Sequence, residues 1–389
     1  MTRLTRRRFL GSGLAIGCSA AASPLITPVA LARAPGENRL VVIVLRGAMD
    51  GLDLLRPLGA PGFAALRPHI FDSAKPGHPL DGFHALHPDL AALKPLWDAG
   101  ELAFIQAVST PYRGKRSHFD GQDFLENGGY APDGGLVAGR DGWLNRAIGL
   151  LPGADLRTAF SVGQESMLLM EGRAPVSSWT PEAQVALSAQ ARLLLETLYA
   201  DDPVFADAAR MAFDISDSTD RDTERQGAAA LAAFAAEQLR GATRIAAFSI
   251  GGWDTHRGQN SVFRRALGEL SAAIEALRTG LGPNWATTTV AAVTEFGRTV
   301  RENGSRGTDH GTGGTMLLAG GTLSAARVHG VWPGIGPSDL IDNRDLRPTD
   351  DMRRPLGWLL AGLYGIAPSA IERTVFPRLD LGSDPRIIA

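Results

Sequence analysis

The stretch that decides the fold is Leu40-Val41-Val42-Ile43-Val44-Leu45, followed directly by Arg46-Gly47-Ala48-Met49-Asp50-Gly51. Six consecutive apolar residues, rich in β-branched side chains, are typical of a strand that is buried on both faces in a parallel sheet. The polar, glycine-containing turn after them would lie at the carboxyl end of that strand. Open α/β sheets bind their ligands at that edge, so the turn marks a candidate site.

Apolar strands alternate with helical segments along the rest of the chain. We expect further strands at residues 102–108, 244–250, 287–294 and 315–319, and helices at residues 88–99, 262–281 and 352–364. Ala-rich segments with helical spacing predict a helical insertion around residues 181–240. The alternation indicates an α/β fold, with a doubly wound, mostly parallel sheet flanked by helices, as a single domain over residues 33–389.

The N-terminus joins a basic stretch to a mild apolar run. Arg6 and Arg7 precede Phe9-Leu10, and the run that follows is rich in Ala and Gly and is interrupted by prolines, unlike a membrane span. These features predict a twin-arginine (Tat) signal peptide over residues 1–32, with Ala30-Leu31-Ala32 as the cleavage site. The Tat translocase would be a partner during export. The mature chain would be periplasmic or secreted, with no membrane span.

The chain has one cysteine, Cys18, which lies inside the predicted signal peptide. Gly17 before it suits lipoprotein processing, but Ala15 is a poor match three positions upstream, which favours cleavage over a lipid anchor at Cys18. The mature chain would then lack cysteine, which excludes disulfides, thiolate metal sites and cysteine nucleophiles. The net charge of −2 gives no electrostatic reason to expect nucleic acid as a partner.

Metal-binding residue types follow several of the predicted strands. These clusters comprise Asp50, Asp254 with His256, and Glu295. We expect them to converge, because parallel strands place their carboxyl ends on one edge of the sheet. A glycine-rich loop adds Asp309 and His310, and His329 lies further on. Carboxylates and imidazoles in this mixture suit zinc, manganese or a similar divalent ion. Arg298 and Arg301, also after a strand, are expected on a solvated face.

Five segments resemble a known family. They are Leu45-Arg46-Gly47-Ala48-Met49-Asp50-Gly51-Leu52, Ser109-Thr110-Pro111-Tyr112-Arg113, Arg116-Ser117-His118-Phe119-Asp120-Gly121-Gln122-Asp123, Gly251-Gly252-Trp253-Asp254-Thr255-His256 and Thr294-Glu295-Phe296-Gly297-Arg298-Thr299. With them, most of the mature chain resembles a Tat-exported bacterial family that is known only as a domain of unknown function. That family is placed in the alkaline phosphatase, sulfatase and cofactor-independent phosphoglycerate mutase superfamily, which implies an alkaline-phosphatase-like fold.

The resemblance implies a role for each matching residue. One metal ion would be held by Asp254, His256 and His329, and a second by Asp50, Asp309 and His310. The nucleophile would be Ser117, with Thr110 in reserve, and the groups that assist it or bind the substrate anion would be His118, Arg113 and Asp120. Three departures stand out. No segment around Ser117 matches the sulfatase motif whose Cys or Ser is converted to formylglycine, which argues against a true sulfatase. Asp254 and His256 are two residues apart where the superfamily commonly has four, and the strand closes with Glu295, which becomes a candidate ligand.

These features together predict an exported hydrolase of small anionic esters, phosphate or sulfate, in which one or two divalent ions activate a Ser or Thr hydroxyl. The altered ligand spacing keeps open the alternative of a non-catalytic binding or assembly protein on the same fold. A metal-free serine hydrolase built on Ser117 is a third hypothesis, but the chain has no Gly-x-Ser-x-Gly segment.

Overall fold

The computed structural model describes residues 36–129, 141–155, 158–162, 167–179 and 227–389. The predicted signal peptide with Cys18 lies outside these residues, and so does most of the predicted helical insertion. Within the described ranges, no helix combines the length and the apolar character that crossing a membrane requires.

A nine-stranded mixed sheet forms the centre of the described residues. Its strands are β1 (Arg39–Leu45), β2 (Leu102–Ser109), β3 (Ala159–Val162), β4 (Ser177–Trp179), β5 (Ile245–Ile250), β6 (Thr288–Val293), β7 (Gly314–Ala319), β8 (Val328–His329) and β9 (Asp350–Asp351). Their order across the sheet is β8-β2-β7-β6-β1-β5-β3-β4, and β9 also pairs with β2. Only β7 among these nine runs antiparallel to its neighbours. The expectation of a mostly parallel α/β sheet is therefore confirmed.

Helices cover both faces of this sheet. They are α1 (Gly51–Leu54), α2 (Phe63–Leu66), α3 (Lys94–Asp98), α4 (His118–Asn127), α5 (Trp143–Ile148), α6 (Ala228–Arg240), α7 (Gln259–Leu281), α8 (Arg353–Tyr364) and α9 (Pro368–Ala370). Shorter 3₁₀ segments cover Pro88–Leu93, Leu168–Met170 and Gly282–Thr287, and a π-helical turn covers Ile371–Val375. A small antiparallel sheet of Leu55–Arg56, Ala85–Leu86 and His78–Pro79 lies apart from the main one.

Strand β1 explains why the chain folds around residues 40–45. Alternate side chains point to opposite faces of a strand, and both faces of β1 are buried. Val41, Ile43 and Leu45 pack into the apolar core that contains α6 and α7, whereas the intervening residues pack into the core that contains α5 and α8. The prediction of a central strand buried on both sides is confirmed.

Helix α7 covers one face through a regular apolar stripe. Phe263, Leu267, Leu270, Ile274 and Leu277 recur three or four residues apart, and each is 0% exposed. This spacing places all five side chains on one side of the helix. Burial of a side chain of this size contributes about 1.5–3 kcal/mol, so the stripe holds α7 firmly on the sheet.

The loops that follow β1, β5 and β6 leave the sheet at one edge, because Leu45 pairs with Ile250 and Val44 with Val293. Antiparallel β7 begins at that same edge, so the loop before it, residues 308–313, joins the others there. At two glycines of these loops, the neighbouring backbone lies too close for a side chain to fit. A Cβ on Gly47 (φ +118°) would lie 2.6 Å from the Asp254 nitrogen, and one on Gly297 would lie 1.8 Å from the Gly313 oxygen.

Candidate metal centre

Three side chains from separate loops converge at this edge. His118, Asp254 and His310 each offer one ligand atom, and these atoms lie within 4.8 Å of one another. His118 opens α4, Asp254 follows β5, and His310 precedes β7. The sheet topology thus brings together residues that are far apart in the chain. Two imidazoles and a carboxylate form a possible metal site, since their atoms are those that zinc and similar ions prefer.

His118 is oriented by a buried carboxylate. Its Nδ1 lies 2.8 Å from Glu295 Oε1, so Nδ1 carries a proton and donates it. The ring stacks on Phe296 at 5.3 Å between centroids and meets His310 edge-on at 4.2 Å. The Nε2 atom is buried, has no hydrogen-bond partner among the described residues, and lies 3.5 Å from Asp254 Oδ2. The hydrogen bond to Glu295 raises the pKa of His118 despite the opposing effect of burial.

Glu295 is fully buried and anchors several loops. Its Oε1 accepts hydrogen bonds from His118, from the Gly47 amide at 2.9 Å and from Gln122 at 3.2 Å, and its Oε2 accepts one from Thr294 at 2.9 Å. Burial alone would raise the pKa of this carboxyl, but the donated hydrogen bonds hold it below its usual value. Glu295 therefore contacts the Nδ1 side of the His118 ring, on the side opposite to the converging ligand atoms.

The other two histidines of the site have the same arrangement. His310 Nδ1 donates to the Arg116 carbonyl at 2.7 Å, and His256 Nδ1 donates to Asp309 Oδ1 at 3.0 Å. Burial lowers the pKa of His310. Both rings therefore present a bare Nε2 to the centre, the orientation that outer hydrogen bonds impose on metal-binding histidines.

The surroundings of His256 Nε2 indicate whether a cation fits between the ligand atoms. Its Nε2 lies 2.9 Å from His310 Nε2 and 3.2 Å from Asp254 Oδ1. With both Nδ1 protons committed, two nitrogen lone pairs face each other, and they repel unless a proton or a cation lies between them. The unpartnered Nε2 of His118 adds a third such atom. These donor atoms fit a divalent ion, with His118, His256, His310 and Asp254 as its candidate ligands.

Asp254 is held in place by Arg298. Arg298 donates to Asp254 Oδ1 at 2.6 Å, and its other bonds go to the carbonyls of Gly47, Ala48, Trp253 and Thr308. Burial tends to raise the pKa of Asp254, but the hydrogen bond and charge of Arg298, with the nearby His256 and His118, together hold it below its usual value. Arg298 is only 1% exposed, so the expectation that it lies on a solvated face is wrong. The reason is that its guanidinium group ties three loops together.

Three sequence-predicted ligands, Asp50, His329 and Asp309, lie outside this cluster. Asp50 is buried, caps α1 through the amides of Leu52 and Asp53, and accepts from Arg67 and Gln259 at 2.7 Å each. Its oxygens are therefore occupied by protein donors. His329 lies on β8 beside Ile105 of β2, and the candidate metal-binding group of His118, Asp254 and His310 in the described residues includes neither His329 nor Asp50. Asp309 lies behind His256 as its hydrogen-bond acceptor.

The predicted nucleophile and anion-binding residues surround the start of α4. Ser117 caps that helix, its hydroxyl accepting from the Asp120 amide at 3.4 Å, and Thr110 is buried and donates to the Glu295 carbonyl at 3.2 Å. Asp120 lies 3.7 Å from Lys115. Arg113 donates to the carbonyls of Thr110 and Tyr112. The structure thus gives Ser117 and Thr110 local roles and places Arg113 at the rim of a cavity.

That cavity adjoins the metal-binding group. It has a volume of about 270 Å³, and it is lined by Tyr112, Arg113, Gly114, Arg116, Phe296, Gly311, Thr312, Ile341 and Asp342. Phe296 packs against both His118 and His310, and Gly311 follows His310 directly. Two of these lining residues, Arg113 and Arg116, are arginines, a residue type that binds small anions through its guanidinium group.

The sequence matches the family model described as "Protein of unknown function (DUF1501)" over residues 106–372. The chain belongs to this family. The matched range includes His118, Asp254, His256 and His310, whereas Asp50 precedes it. Comparison with curated proteins gives no match.

Several solved structures are similar to this DUF1501 protein. Alkaline phosphatase from the Antarctic bacterium TAB5 has 10% identity over 76% of this chain and 94% of its own, with a TM-score of 0.32. A protein in the alkaline phosphatase superfamily from Vibrio parahaemolyticus has 12% identity over 84% and 71%, with a TM-score of 0.32. The C-terminal periplasmic domain of EcEptC from Escherichia coli, in complex with Zn, has 11% identity over 76% and 76%, also at 0.32. The likeness at these identities is one of fold alone.

Sequence reasoning missed the groups that orient the ligands. Arg298 belongs to a quoted motif but was expected in solvent, and Asp345, which is 0% exposed, was not singled out. No local pattern marks Asp345, because its partners Arg116 and Thr312 come from distant loops. In the nearby loop, the alternation of glycine with polar residues at 307–314 is the local pattern that indicates a candidate site, and His310 was predicted from it.

Proposed function

We propose that this protein is an exported, metal-dependent hydrolase of small phosphate or sulfate esters. The observation that carries the proposal is the buried His118 Nε2. It has no hydrogen-bond partner among the described residues, and it faces Asp254 while Glu295 occupies the opposite side of the ring. An imidazole held in this way is prepared to donate a lone pair to a cation.

The donor set supports zinc or manganese as the ion. Three imidazole nitrogens and one carboxylate match the nitrogen and oxygen ligands of catalytic zinc sites, and carboxylate with imidazole also suits manganese. An ion held there would act as a Lewis acid and lower the pKa of a bound water. The chain's own residues would hold it: His118, His256 and His310 by Nε2, and Asp254 by its carboxylate, which Arg298 orients.

The cavity supports an anionic substrate. Arg113 and Arg116 line it, and a guanidinium group forms strong, charge-assisted hydrogen bonds with phosphate or sulfate oxygens. Ser117 serves as a helix cap and Thr110 donates to a backbone carbonyl. We therefore propose water as the attacking group in place of either hydroxyl. A Ser117→Ala variant that keeps its hydrolytic activity supports water, and one that loses it restores Ser117 as the nucleophile.

Metal analysis of the protein, purified without chelators or a metal-binding tag, tests the proposal. We expect about one or two equivalents of a divalent ion, as catalytic sites of this type hold, and loss of the ion in His118→Ala and Asp254→Ala variants. His329→Gln is the matched control and should keep the ion, since His329 lies outside the cluster. A screen of phosphate and sulfate monoesters then follows.

The outcomes separate the two candidate functions. Bound metal with ester hydrolysis that is lost in His118→Ala supports the hydrolase. Bound metal without hydrolysis of any ester supports a binding protein that uses the same centre. Absence of metal after refolding with zinc and manganese would overturn the proposed mechanism.

A further inference from the structure

A buried carboxylate connects the loops around His310. Asp345 is 0% exposed, and its side chain accepts three hydrogen bonds. Oδ2 accepts from Arg116 at 3.1 Å and from Thr312 at 2.9 Å, and Oδ1 accepts from Arg344 at 2.7 Å. These donors come from the loop before α4, the loop before β7 and the residue next to Asp345. A carboxylate with both oxygens occupied in this way fixes the relative positions of its partners.

Two of these partners also hold His310. Arg116 provides the carbonyl that accepts the His310 Nδ1 proton, and Arg344 Nη1 donates to the His310 carbonyl at 2.8 Å. Asp345 is therefore connected to the His310 ring through Arg116 and to the His310 backbone through Arg344. Arg116 is moreover in the left-handed region, at φ 52°, which is unfavourable for a residue with a side chain. Its ion pair with Asp345, together with the hydrogen bond from the Ser117 amide to Tyr112 Oη at 2.8 Å, keeps the Arg116 carbonyl aimed at the ring.

We infer that Asp345 is a positioning residue for the metal centre, acting through Arg116 and Arg344 to hold His310 with Nδ1 protonated and Nε2 bare. The inference rests on the proposed function only in taking His310 as a metal ligand. Asp345 also fixes Arg116 at the cavity wall, so the same carboxylate aligns the metal side and the anion side of the site.

Metal affinity provides the first test. Zinc dissociation constants are measured by competition with a chelating dye for the full chain and for Asp345→Asn, which replaces one acceptor oxygen by an amide donor. We expect Asp345→Asn to bind zinc about tenfold to a hundredfold more weakly, and the control Asp342→Asn to stay within about twofold of the parent protein. Asp342 lines the same cavity and lies three residues away, but among the described residues its side chain forms no hydrogen bond or ion pair with Arg116, Arg344 or Asp345.

Histidine NMR provides a second test that needs no metal. In ¹⁵N-histidine-labelled, chelator-treated protein, His310 should show a protonated Nδ1 and an unprotonated Nε2, assigned with a His310→Gln variant. Asp345→Asn should convert this into a mixture of tautomers. If the parent protein binds no zinc, the proposed function fails, yet this signal still decides the role of Asp345.

Two milder variants guard against misfolding of Asp345→Asn, which circular dichroism would reveal. Arg344→Gln removes the guanidinium group that joins Asp345 to the His310 carbonyl. Arg116→Gly removes the side chain that pairs with Asp345, and glycine readily adopts the left-handed backbone at this position. Each should weaken zinc binding and shift His310 toward a mixture of tautomers, by less than Asp345→Asn does if that variant folds. An unchanged tautomer in both, or in folded Asp345→Asn, overturns the inference.

Discussion

Each histidine of the candidate metal centre is oriented by the group that accepts its Nδ1 proton. Glu295, Asp309 and the Arg116 carbonyl accept the Nδ1 protons of His118, His256 and His310 respectively. A neutral imidazole has one proton, so fixing it on Nδ1 leaves Nε2 free to bind a cation. The orienting acceptors are therefore as much a part of the site as the ligands themselves.

Replacement of Glu295 tests this at a single residue. We expect Glu295→Gln to weaken metal binding about tenfold or more, because the amide cannot serve all the donors that Glu295 accepts and His118 loses its orientation. Metal titration of the purified variant measures the effect. Glu302→Gln is the matched control, since Glu302 also accepts from a histidine, His69, at the protein surface. Equal losses in the two variants would contradict a specific role for Glu295.

At the scale of elements, the site depends on how closely the loops pack at the sheet edge. Gly297 has no room for a Cβ, which would lie 1.8 Å from the Gly313 oxygen, whereas Gly268 on the exposed side of α7 has nothing within 4 Å. Strand ends that meet this tightly can bring His310 and His118 together. A looser edge would separate the ligand atoms.

Two alanine substitutions distinguish these glycines. Gly297→Ala should destabilise the protein by about 3 kcal/mol or more, because the loop must move away from residue 313. Gly268→Ala should stabilise it by about 0.5–1 kcal/mol, since alanine favours the helix. Urea unfolding measures both. A neutral effect of Gly297→Ala would show that the loop can relax without cost.

The 3₁₀ segment Pro88–Leu93 carries a pH dependence. His87 caps it by accepting from the Asp89 amide at 3.1 Å. The pKa of His87 is lowered from 6.5 to about 4, chiefly by burial and also by the charges of Arg56 and Arg264, against the opposing effect of the carboxylates of Asp53 and Asp89. The unfolded chain therefore binds this proton more readily than the folded protein does.

The resulting stability change has a definite sign. The stability that neutral His87 contributes is complete above pH 6.5 and is lost as the pH falls toward 4, a loss of about 3 kcal/mol. His87→Asn keeps a capping acceptor without a titrating ring, so its free energy of unfolding should decline less over this range. Denaturant unfolding at a series of pH values measures this. If the free energy of unfolding declined equally with falling pH in both proteins, His87 would not be the source of the pH dependence.

At the scale of the whole molecule, the candidate ligands come from residues 118 to 310, so the centre forms only after the chain has folded. The proposed ion would therefore bind only the folded chain, which agrees with the predicted Tat export, since the Tat route carries folded proteins. The twin arginines at the N-terminus agree with this route.

Export provides a test of the N-terminal prediction. We expect the double variant Arg6→Lys and Arg7→Lys to remain in the cytoplasm at full length, because the Tat machinery recognises the paired guanidinium groups. Cell fractionation and N-terminal sequencing measure the outcome. Arg8→Lys conserves charge outside the pair and should be exported and cleaved normally. Export of the double variant would point to another route.

The sequence by itself indicated five of the nine strands of the main sheet, β1, β2, β5, β6 and β7, and the long helices α7 and α8. Strand β1 and helix α7 were predicted because a run of apolar residues and a helical spacing are local properties of the chain. Asp254, His256 and His310 were identified as candidates because they follow or precede strands at one edge. Family membership was likewise apparent from contiguous motifs, and the match over residues 106–372 confirms it.

Only the tertiary structure decided which polar groups meet. Asp50 accepts hydrogen bonds from Arg67 and Gln259, which lie 17 and 209 residues away in the sequence. His118 faces Asp254 and donates to Glu295, which lies 177 residues away. A carboxylate becomes a metal ligand, a helix cap or a support according to the donors within about 3 Å of it. That distance depends on how the loops pack, and no pattern of neighbouring residues encodes it.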